Sequence, residues 1–263
     1  MEAPMTRRFI WIALASAALA GPAFAETILP AFNSANFSGN PVVTNPYFPV
    51  VEGKVQNYAG APADEQFTFT GWGPGPVILG IKTFTIRDRA IEGGLLVEDT
   101  FDYYAQDKQG NVWYFGEDVT NYTYDKNGNL IGTTSSSSWR AGVHGARPGY
   151  IMPTDLTIGF NYFQEHAPED AAVDEGTTFA IVPSMIVSGQ TYSNVIKVLE
   201  TSDLDNHARG FKYYAAGVGL IKEEEGVRPN FKFPRQTFEL ATGAAAAAAK
   251  GKGSLDFRKP PGH

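Results

Sequence analysis

The clearest alternation of apolar and polar positions lies in residues 101–117, FDYYAQDKQGNVWYFGE, where two aromatic-rich segments meet at a turn. In that turn Asp107 can cap the backbone of a type I turn, and Gly110 can adopt the positive φ that follows it. This combination is typical of a three-residue hairpin loop, residues 108–110, that ends in a glycine bulge. The pattern therefore predicts a β-hairpin.

The loop length fixes a register for this hairpin, and the register predicts two unlike faces. The first face pairs Ala105 with Trp113, Tyr103 with Phe115, and Phe101 with Glu117. The second face pairs Gln106 with Val112, Tyr104 with Tyr114, and Asp102 with Gly116. Since the first face is mostly apolar, we expect it to join the core, and the second face to be wet or to contact a ligand.

Other segments predict a meander of short strands. A second Asp-Lys-Asn-Gly turn stands at residues 125–128, and strand patterns cover residues 50–58, 66–70, 78–89, 95–104, 130–134, 179–187, 193–201, 210–215 and 218–224. The segment 71–76, GWGPGP, predicts a turn. Residues 162–173 predict one short helix, interrupted by Pro168. The expected fold is mostly β, a curved antiparallel sheet (meander, half-barrel or open barrel) with one short helix.

The two ends differ in composition from the rest of the chain. Arg7 and Arg8 precede an apolar run over residues 9–20, and small residues stand before Glu26, so residues 1–25 are expected to be a secretory signal peptide. The run is too short for a transmembrane anchor. We expect a single β-rich domain over residues 26–242, and a disordered tail over residues 243–263, GAAAAAAKGKGSLDFRKPPGH. These segments predict a periplasmic or secreted protein.

Composition and charge exclude several classes of function. The chain has no Cys and a formal net charge of −7. Without Cys, disulfide frameworks, thiolate nucleophiles and iron–sulfur centres are excluded. An acidic chain is a poor partner for nucleic acid. No motif for a cofactor stands out, so none is expected, and the oligomeric state stays open.

Several separated segments resemble a family of uncharacterised secreted bacterial proteins. They are NPYFP (residues 45–49), LVEDTFDYYAQDKQGNVWYFGED (96–118), SWRAGVHGARPGYIMP (138–153), FQEHAPED (163–170) and KYYAAGVGLIKE (212–223). The closing hairpin is similar to a YAPGVGLVKE-like pattern, with Ala216 in place of Pro. The resemblance implies a fold similar to curved-sheet, half-barrel periplasmic carriers, and it implies no particular activity. The sequence departs from the family pattern around residues 166–168.

Three sets of side chains are candidates for a site. The reverse face of the hairpin and a nearby aromatic residue offer a ligand-binding set: Asp102, Tyr104, Gln106, Tyr114 and Trp139. Acid–base catalysis could use a histidine or a carboxyl group in a cleft, which singles out His144, Asp102 and Glu165. A hard cation or zinc could be held by Glu165, His166, Glu169 and Asp170, although Pro168 interrupts them and their spacing fits a solvated acidic turn better.

Three functions remain open at this stage. The leading hypothesis is an exported soluble β-scaffold that binds an apolar or amphipathic ligand without catalysis. The first alternative is an envelope or extracellular enzyme of hydrolase or lyase type that uses His144 and a carboxyl group. The second alternative is a structural or protein-interaction module. Since no catalytic motif accompanies His144, the sequence favours binding over catalysis.

Overall fold

The computed structural model describes residues 26–61, 65–202, 204–229, 231 and 233–242. The predicted signal peptide and the predicted tail lie outside these residues. Within them the chain forms one 15-stranded sheet. The strands are β1 (Val55–Ala61), β2 (Glu65–Ile78), β3 (Ile81–Glu92), β4 (Leu95–Gln106), β5 (Val112–Tyr124), β6 (Leu130–Thr134), β7 (Trp139–Arg140), β8 (Arg147–Met152), β9 (Asn161–Phe163), β10 (Glu165–His166), β11 (Asp174–Val187), β12 (Gln190–Ser202), β13 (Asp205–Ala215), β14 (Gly219–Glu225) and β15 (Gln236–Leu240).

The sheet is antiparallel and nearly closes on itself. Its strands follow the order β10-β8-β5-β4-β3-β2-β1-β15-β14-β13-β12-β11-β9, with β6 and β7 also paired to β5. The two ends of this order, β10 and β9, are separated in the chain by Gln164 alone. The result is a barrel-like sheet, which confirms the predicted mostly β, curved antiparallel architecture.

The predicted helix over residues 162–173 is not formed. Asn161–Phe163 pairs with β11, Glu165–His166 pairs with β8, and only Pro168–Asp170 forms a 3-10 turn. Strand pairing satisfies the backbone of this segment better than a helix that Pro168 would interrupt. In the described part of the chain, helical structure is limited to this turn and Ser34–Asn36. No helix there is long and apolar enough to cross a lipid bilayer.

A second correction concerns residues 71–76, which the glycines and prolines predicted to be a turn. These residues continue β2, whose register against β3 shifts twice in this region. Bulges let a strand accommodate glycine and proline while its neighbours stay paired. Trp72 consequently lies against the sheet, with its ring 5.7 Å from Phe101.

Both predicted turns form as expected. The Asp107 carboxylate accepts the backbone N–H groups of Gln109 and Asn111 at 2.9 Å. The Asp125 carboxylate makes the same two bonds with Asn127 and Asn129, at 2.8 and 2.9 Å. Gly110 and Gly128 have φ of 95° and 81°, which is the region that glycine adopts without strain. The Asx turn chemistry therefore fixed both hairpin tips.

Apolar side chains pack on both sides of the central strands. On the outer face Trp113 and Phe115 are 1% and 0% exposed, and the N-terminal segment covers them with Phe32 and Phe37, at ring distances of 5.7 to 6.0 Å. On the inner face the large buried residues are Tyr58, Phe67, Ile196 and Phe238. Burying side chains of this size contributes roughly 1.5–3 kcal/mol each. The prediction that Phe101, Tyr103, Trp113 and Phe115 belong to the core is confirmed.

Candidate functional site

A β-bulge in the central hairpin changes which residues of β4 and β5 face each other. Ala105 pairs with Trp113 and Tyr104 with Tyr114, as predicted. Beyond the bulge the predicted partners are wrong by one residue: Tyr103 pairs with Gly116, Asp102 with Glu117, and Phe101 with Asp118. The extra residue places two carboxyl groups, Asp102 and Glu117, side by side.

Gly116 makes this bulge possible. Its φ of 138° is one that residues with a side chain rarely adopt, and a Cβ at this position would lie 2.5 Å from the backbone oxygen of Trp139. Glycine here therefore lets β7 approach β5 closely, so that Gly116 pairs with Arg140. Without the bulge Glu117 would take the outer face.

Asp102 and Glu117 share one phenol. The Tyr114 hydroxyl lies 2.6 Å from Asp102 Oδ1 and 3.1 Å from Glu117 Oε2. One hydroxyl hydrogen can be donated to only one of these oxygens, so two full hydrogen bonds require a proton on one carboxyl group. Burial raises the pKa of Asp102 to about 7, against the effect of Tyr114. Burial, with Glu165 and Asp102, raises the pKa of Glu117 well above its usual range.

Further carboxyl groups from other strands face the same interior. We call Asp102, Glu117, Glu165, Asp174 and Glu200 the acidic interior. Burial and the charge of Asp174 raise the pKa of Glu165 well above its usual range. Burial and the charge of Glu200 raise the pKa of Asp174 to about 6. Both groups therefore resist losing their protons as the pH rises toward neutrality.

Lys212 is the cation that faces the acidic interior in the described residues. Its ammonium lies 2.9 Å from Glu200 Oε2, and Gln164 Nε2 donates to the other oxygen of Glu200 at 2.8 Å. Burial works to lower the pKa of Lys212, but the attraction of Glu200 and Glu223 outweighs burial and leaves the pKa raised. Lys212 therefore stays charged and compensates one carboxylate of the set.

Aromatic rings form the wall beside these carboxyl groups. The ring of Tyr114 stacks on Tyr104 at 4.9 Å and meets the edge of Trp139 at 5.3 Å. Phe48 from the N-terminal segment packs against Tyr104 at 5.1 Å and Tyr214 at 6.5 Å. The interior thus combines flat aromatic surface with oxygen acceptors.

The structure brings together four of the five predicted ligand-binding residues. Asp102, Tyr104, Tyr114 and Trp139 form one cluster, and each is less than a tenth exposed. They line the interior of the sheet, so the expectation of an openly wet face does not hold for them. Gln106 lies apart, because its side-chain oxygen accepts the backbone N–H groups of Thr44 and Asn45 at 2.7 and 2.8 Å.

The catalytic candidates are not brought together. His144 is 62% exposed in its side chain, and its Nδ1 lies 3.0 Å from Asp170 Oδ1. This contact raises the pKa of His144. Asp102 and Glu165 are both 8% exposed and belong to the acidic interior. The contacts of His144 therefore do not pair it with Asp102 or Glu165, as acid–base catalysis would require.

The candidate metal ligands are also divided. Glu165 faces the acidic interior, the His166 ring lies against Phe163, and Asp170 contacts His144. Glu169 is exposed on the 3-10 turn. Among the described residues, no group of three His, Asp or Glu side chains is arranged to hold a metal ion.

A separate cleft opens where β1 and β14 begin. This mouth cleft is small, with a cavity volume of about 40 Å³, and it is lined by Phe48, Pro49, Val50, Val51, Lys54, Gln56, Phe69, Gly71, Ile86, Gly219 and Leu220. Lys54 Nζ donates to the Val218 carbonyl oxygen at 3.2 Å, and burial lowers its pKa. Phe48 lines this cleft and also packs against Tyr104, beside the acidic interior.

Sequence reasoning missed Glu117, Asp174, Glu200 and Lys212 as site residues. Their strands carry polar residues on both faces, as in Lys197 and Glu200 of β12, so alternation alone could not assign the inner face. Glu117 was assigned to the apolar face because the bulge was not anticipated. A glycine directly before an acidic pair, Gly116-Glu117-Asp118, was the one local signal for it.

Comparisons with known proteins found two similar solved structures. No family model matches the chain, and no curated protein matches it. A protein of Bacteroides fragilis inferred to be exported, with a YmcC-like fold, has 11% sequence identity and a TM-score of 0.37, over 74% of this chain and 96% of that one. An inferred lipoprotein of Parabacteroides distasonis has 12% identity and a TM-score of 0.29, over the same shares. Neither similarity assigns a function to this chain.

Proposed function

We propose that this protein is an exported binding protein that takes an anionic amphipathic molecule in its mouth cleft without catalysing a reaction. The observation that carries the proposal is an apolar cleft with a single charged group, Lys54, in its wall. Export is supported by the signal-peptide pattern of residues 1–25.

The wall chemistry supports an amphipathic ligand. Phe48, Val50, Phe69, Ile86 and Leu220 offer hydrocarbon surface, and covering such surface stabilises a complex by about 25 cal/mol per Å². Concave, mostly apolar sites with few polar groups are the usual form of small-molecule sites. The end of an acyl or similar chain would match this apolar surface.

The charge of Lys54 supports an anionic head group. Its ammonium is partly buried and is hydrogen-bonded to a neutral carbonyl oxygen, with its pKa lowered by burial. A carboxylate, sulfate or phosphate beside it would supply the missing opposite charge. Of the residues lining the cleft, Lys54 is the one titratable side chain, which favours binding over acid–base chemistry.

The test uses the full chain, exported by a bacterial host and purified from the exported fraction. Native mass spectrometry and lipid extraction would identify any molecule carried through purification. Calorimetric titration then compares dodecanoate with dodecyltrimethylammonium, which share the chain and differ in charge. We expect dodecanoate to bind more tightly, and the proposal fails if neither amphiphile binds or if the cationic one is preferred.

Two substitutions locate the site. Lys54→Gln should weaken dodecanoate binding roughly tenfold by removing a charge-assisted hydrogen bond, whereas Lys126→Gln on an exposed turn should leave it unchanged. Val50→Trp should block the cleft, and Val77→Trp at a 64% exposed position serves as its control. Equal effects of a variant and its control would place binding elsewhere.

A further inference from the structure

The acidic interior holds more carboxyl groups than the protein's own cations could compensate if all of them were charged. Its five carboxyl groups come from β4, β5, β10, β11 and β12. Among the described residues the cation beside them is Lys212, which is already bound to Glu200. Buried carboxylates normally have a cation or metal beside them, since an uncompensated charge in a protein interior is costly. A cationic group supplied from outside would lower this cost.

Solvent reaches part of this interior. Lys212 lies on the inner face of β13, between its outward-facing neighbours Phe211 and Tyr213. Nevertheless the side chains of Lys212 and Glu200 keep 23% and 19% of their surface open to water. The space beside this ion pair is therefore not filled by protein.

A buried hydroxyl group is left without a hydrogen-bond partner at the same place. Tyr162 is 0% exposed, and its Oη makes no hydrogen bond. The ring lies over Gly176, where a Cβ would come within 2.9 Å of Oη, and Gly176 pairs with Glu200. Glu200 and Lys212 both influence the Tyr162 hydroxyl electrostatically. An unsatisfied buried hydroxyl indicates a missing partner such as a bound ligand.

The arrangement of the acceptors distinguishes between kinds of cation. A metal ion needs several ligands that converge on one point, and the described carboxyl groups do not converge in this way. Acceptors spread over several strands, beside the rings of Tyr104, Tyr114 and Trp139, suit ammonium groups on a short aliphatic chain, because an ammonium donates three hydrogen bonds and is attracted to ring faces. The Lys212–Glu200 pair shows such an ammonium already accommodated.

We propose that the acidic interior is a binding site for an aliphatic amine, held through ammonium groups by Asp102, Glu117 and Glu165, with the Tyr162 hydroxyl as a further acceptor. The site is distinct from the mouth cleft and does not depend on it. In the free protein, protons on these carboxyl groups take the place of the amine, which agrees with the raised pKa values of Asp102 and Glu117. Amine binding should accordingly release protons.

The experiment titrates the full exported chain with putrescine by calorimetry, at about pH 7.5 and low salt. 1,4-Butanediol, which has the same length and no charge, is the matched control. We expect saturable binding of putrescine alone, with proton release seen as different heats in buffers of different ionisation enthalpy. Absence of binding, equal binding of the diol, or stronger binding of Ca²⁺ or Mg²⁺ tested alone would overturn the proposal.

Substitutions test whether the amine binds in the acidic interior. The double variant Asp102→Asn, Glu117→Gln should weaken putrescine binding at least roughly tenfold, since it removes two charged acceptors. Glu169→Gln, an exposed carboxyl outside the interior, should not change it. Tyr162→Phe removes one hydroxyl at nearly constant shape and should weaken binding a few-fold, which keeps the test decisive if the double variant does not fold. Unchanged binding in a folded interior variant would show that the amine binds elsewhere.

The two proposals fail independently. Dodecanoate reports on the mouth cleft through Lys54, and putrescine reports on the acidic interior. Loss of putrescine binding in the double variant with dodecanoate binding retained would support both assignments. Putrescine binding that responds to Lys54→Gln instead would contradict the interior site.

Discussion

The two faces of strand β4 carry carboxyl groups in opposite circumstances. On the outer face Asp99 receives two hydrogen bonds of 2.7 Å from the Arg87 guanidinium. On the inner face Asp102 has a Tyr114 hydroxyl and another carboxyl group, Glu117, as its neighbours. Two carboxyl groups three positions apart on one strand thus differ: Asp99 is bonded to a guanidinium, and Asp102 is bonded to a phenol.

This difference separates structural charges from candidate functional ones. The Arg87 guanidinium also lies over the rings of Trp72 and Phe101, at 5.0 and 5.2 Å, so the outer charge has partners in both the carboxylate and the rings. Asp102 and Glu117 instead contact a phenol hydroxyl, and raised pKa values in such buried carboxyl groups are typical of functional sites. The amine site proposed for this protein therefore lies on the inner face.

The largest expected effect comes from breaking the outer pair. Arg87→Met should lower the free energy of unfolding by about 3–5 kcal/mol, because Asp99 would stay buried without its partner. Urea unfolding followed by circular dichroism measures this. Arg140→Met is the control: its pair with Asp118 is about a third exposed, so the loss should be about 1 kcal/mol or less. Equal losses would contradict the distinction between the two pairs.

A somewhat smaller effect is expected from removing the bulge. Gly116→Ala should cost about 2–4 kcal/mol, because alanine is strained at a φ of 138° and its Cβ would approach the Trp139 carbonyl oxygen. Gly132→Ala, in a strand with no atom near the added Cβ, should stay within about 1 kcal/mol of the wild type. A tolerated Gly116→Ala would mean that the bulge does not hold Glu117 inward.

The inner face predicts a pH dependence opposite to the usual one for acidic side chains. The pKa of Asp102 is about 7 in the folded protein, against an ordinary value of 3.8 for an aspartate side chain, so the folded state binds more protons between these values. Stability should therefore fall as the pH rises from about 4 to about 7, by on the order of a few kcal/mol for this group. The raised pKa of Glu117 acts in the same direction.

Urea unfolding at pH 5 and pH 8 measures this dependence. Asp102→Asn should flatten it and leave the protein as stable as the wild type, or more so, at pH 8. Lys212 does not obscure the result, because its raised pKa contributes stability that is lost only as the pH rises above about 10.5. A wild-type protein that gains stability from pH 5 to pH 8 would contradict the proposed protonation of the interior.

The smallest effect compares the same substitution on the two faces. Tyr103→Phe removes a hydroxyl that donates to Asp118 at 2.6 Å, and since Asp118 keeps Arg140, the cost should be about 1 kcal/mol. Tyr114→Phe removes a donor that lowers the pKa of Asp102, so the pH range over which stability falls should extend upward. If both variants lost the same stability at every pH, and neither changed the pH range over which stability falls, the expected difference between the two faces would be contradicted.

Local signals in the sequence predicted the hairpin tips well. The Asp107 and Asp125 turns share their residue types and their hydrogen bonds, yet only Asp107 also accepts the Trp113 indole N–H, at 2.9 Å. Turn geometry depends on a few neighbouring residues and could be read from them. Whether a turn is buried depends on distant segments, and this could not be read from neighbouring residues. Here the distant segment is that of Asn36, whose carbonyl oxygen accepts the Lys108 backbone N–H at 2.8 Å.

The candidate site was predicted in part. Asp102, Tyr104, Tyr114 and Trp139 were singled out from the alternation in one hairpin and a nearby aromatic, and the fold brings them together. Glu165 was named for catalysis and metal binding, and the structure instead makes it part of the acidic interior. The short helix expected around it was wrong, because pairing with β8 and β11 outweighed local helical preference.

By itself the sequence determined the mostly β class, the curved antiparallel architecture, the two Asx turns and the apolar face of the central hairpin. These depend on alternation and turn chemistry, which act over a few residues. The tertiary structure alone decided that the other face is enclosed, that Gly116 turns Glu117 inward, and that carboxyl groups from five strands share one interior with Lys212. Such meetings depend on register and sheet closure, which join residues far apart in the chain, and one bulge is enough to exchange the two faces of a strand.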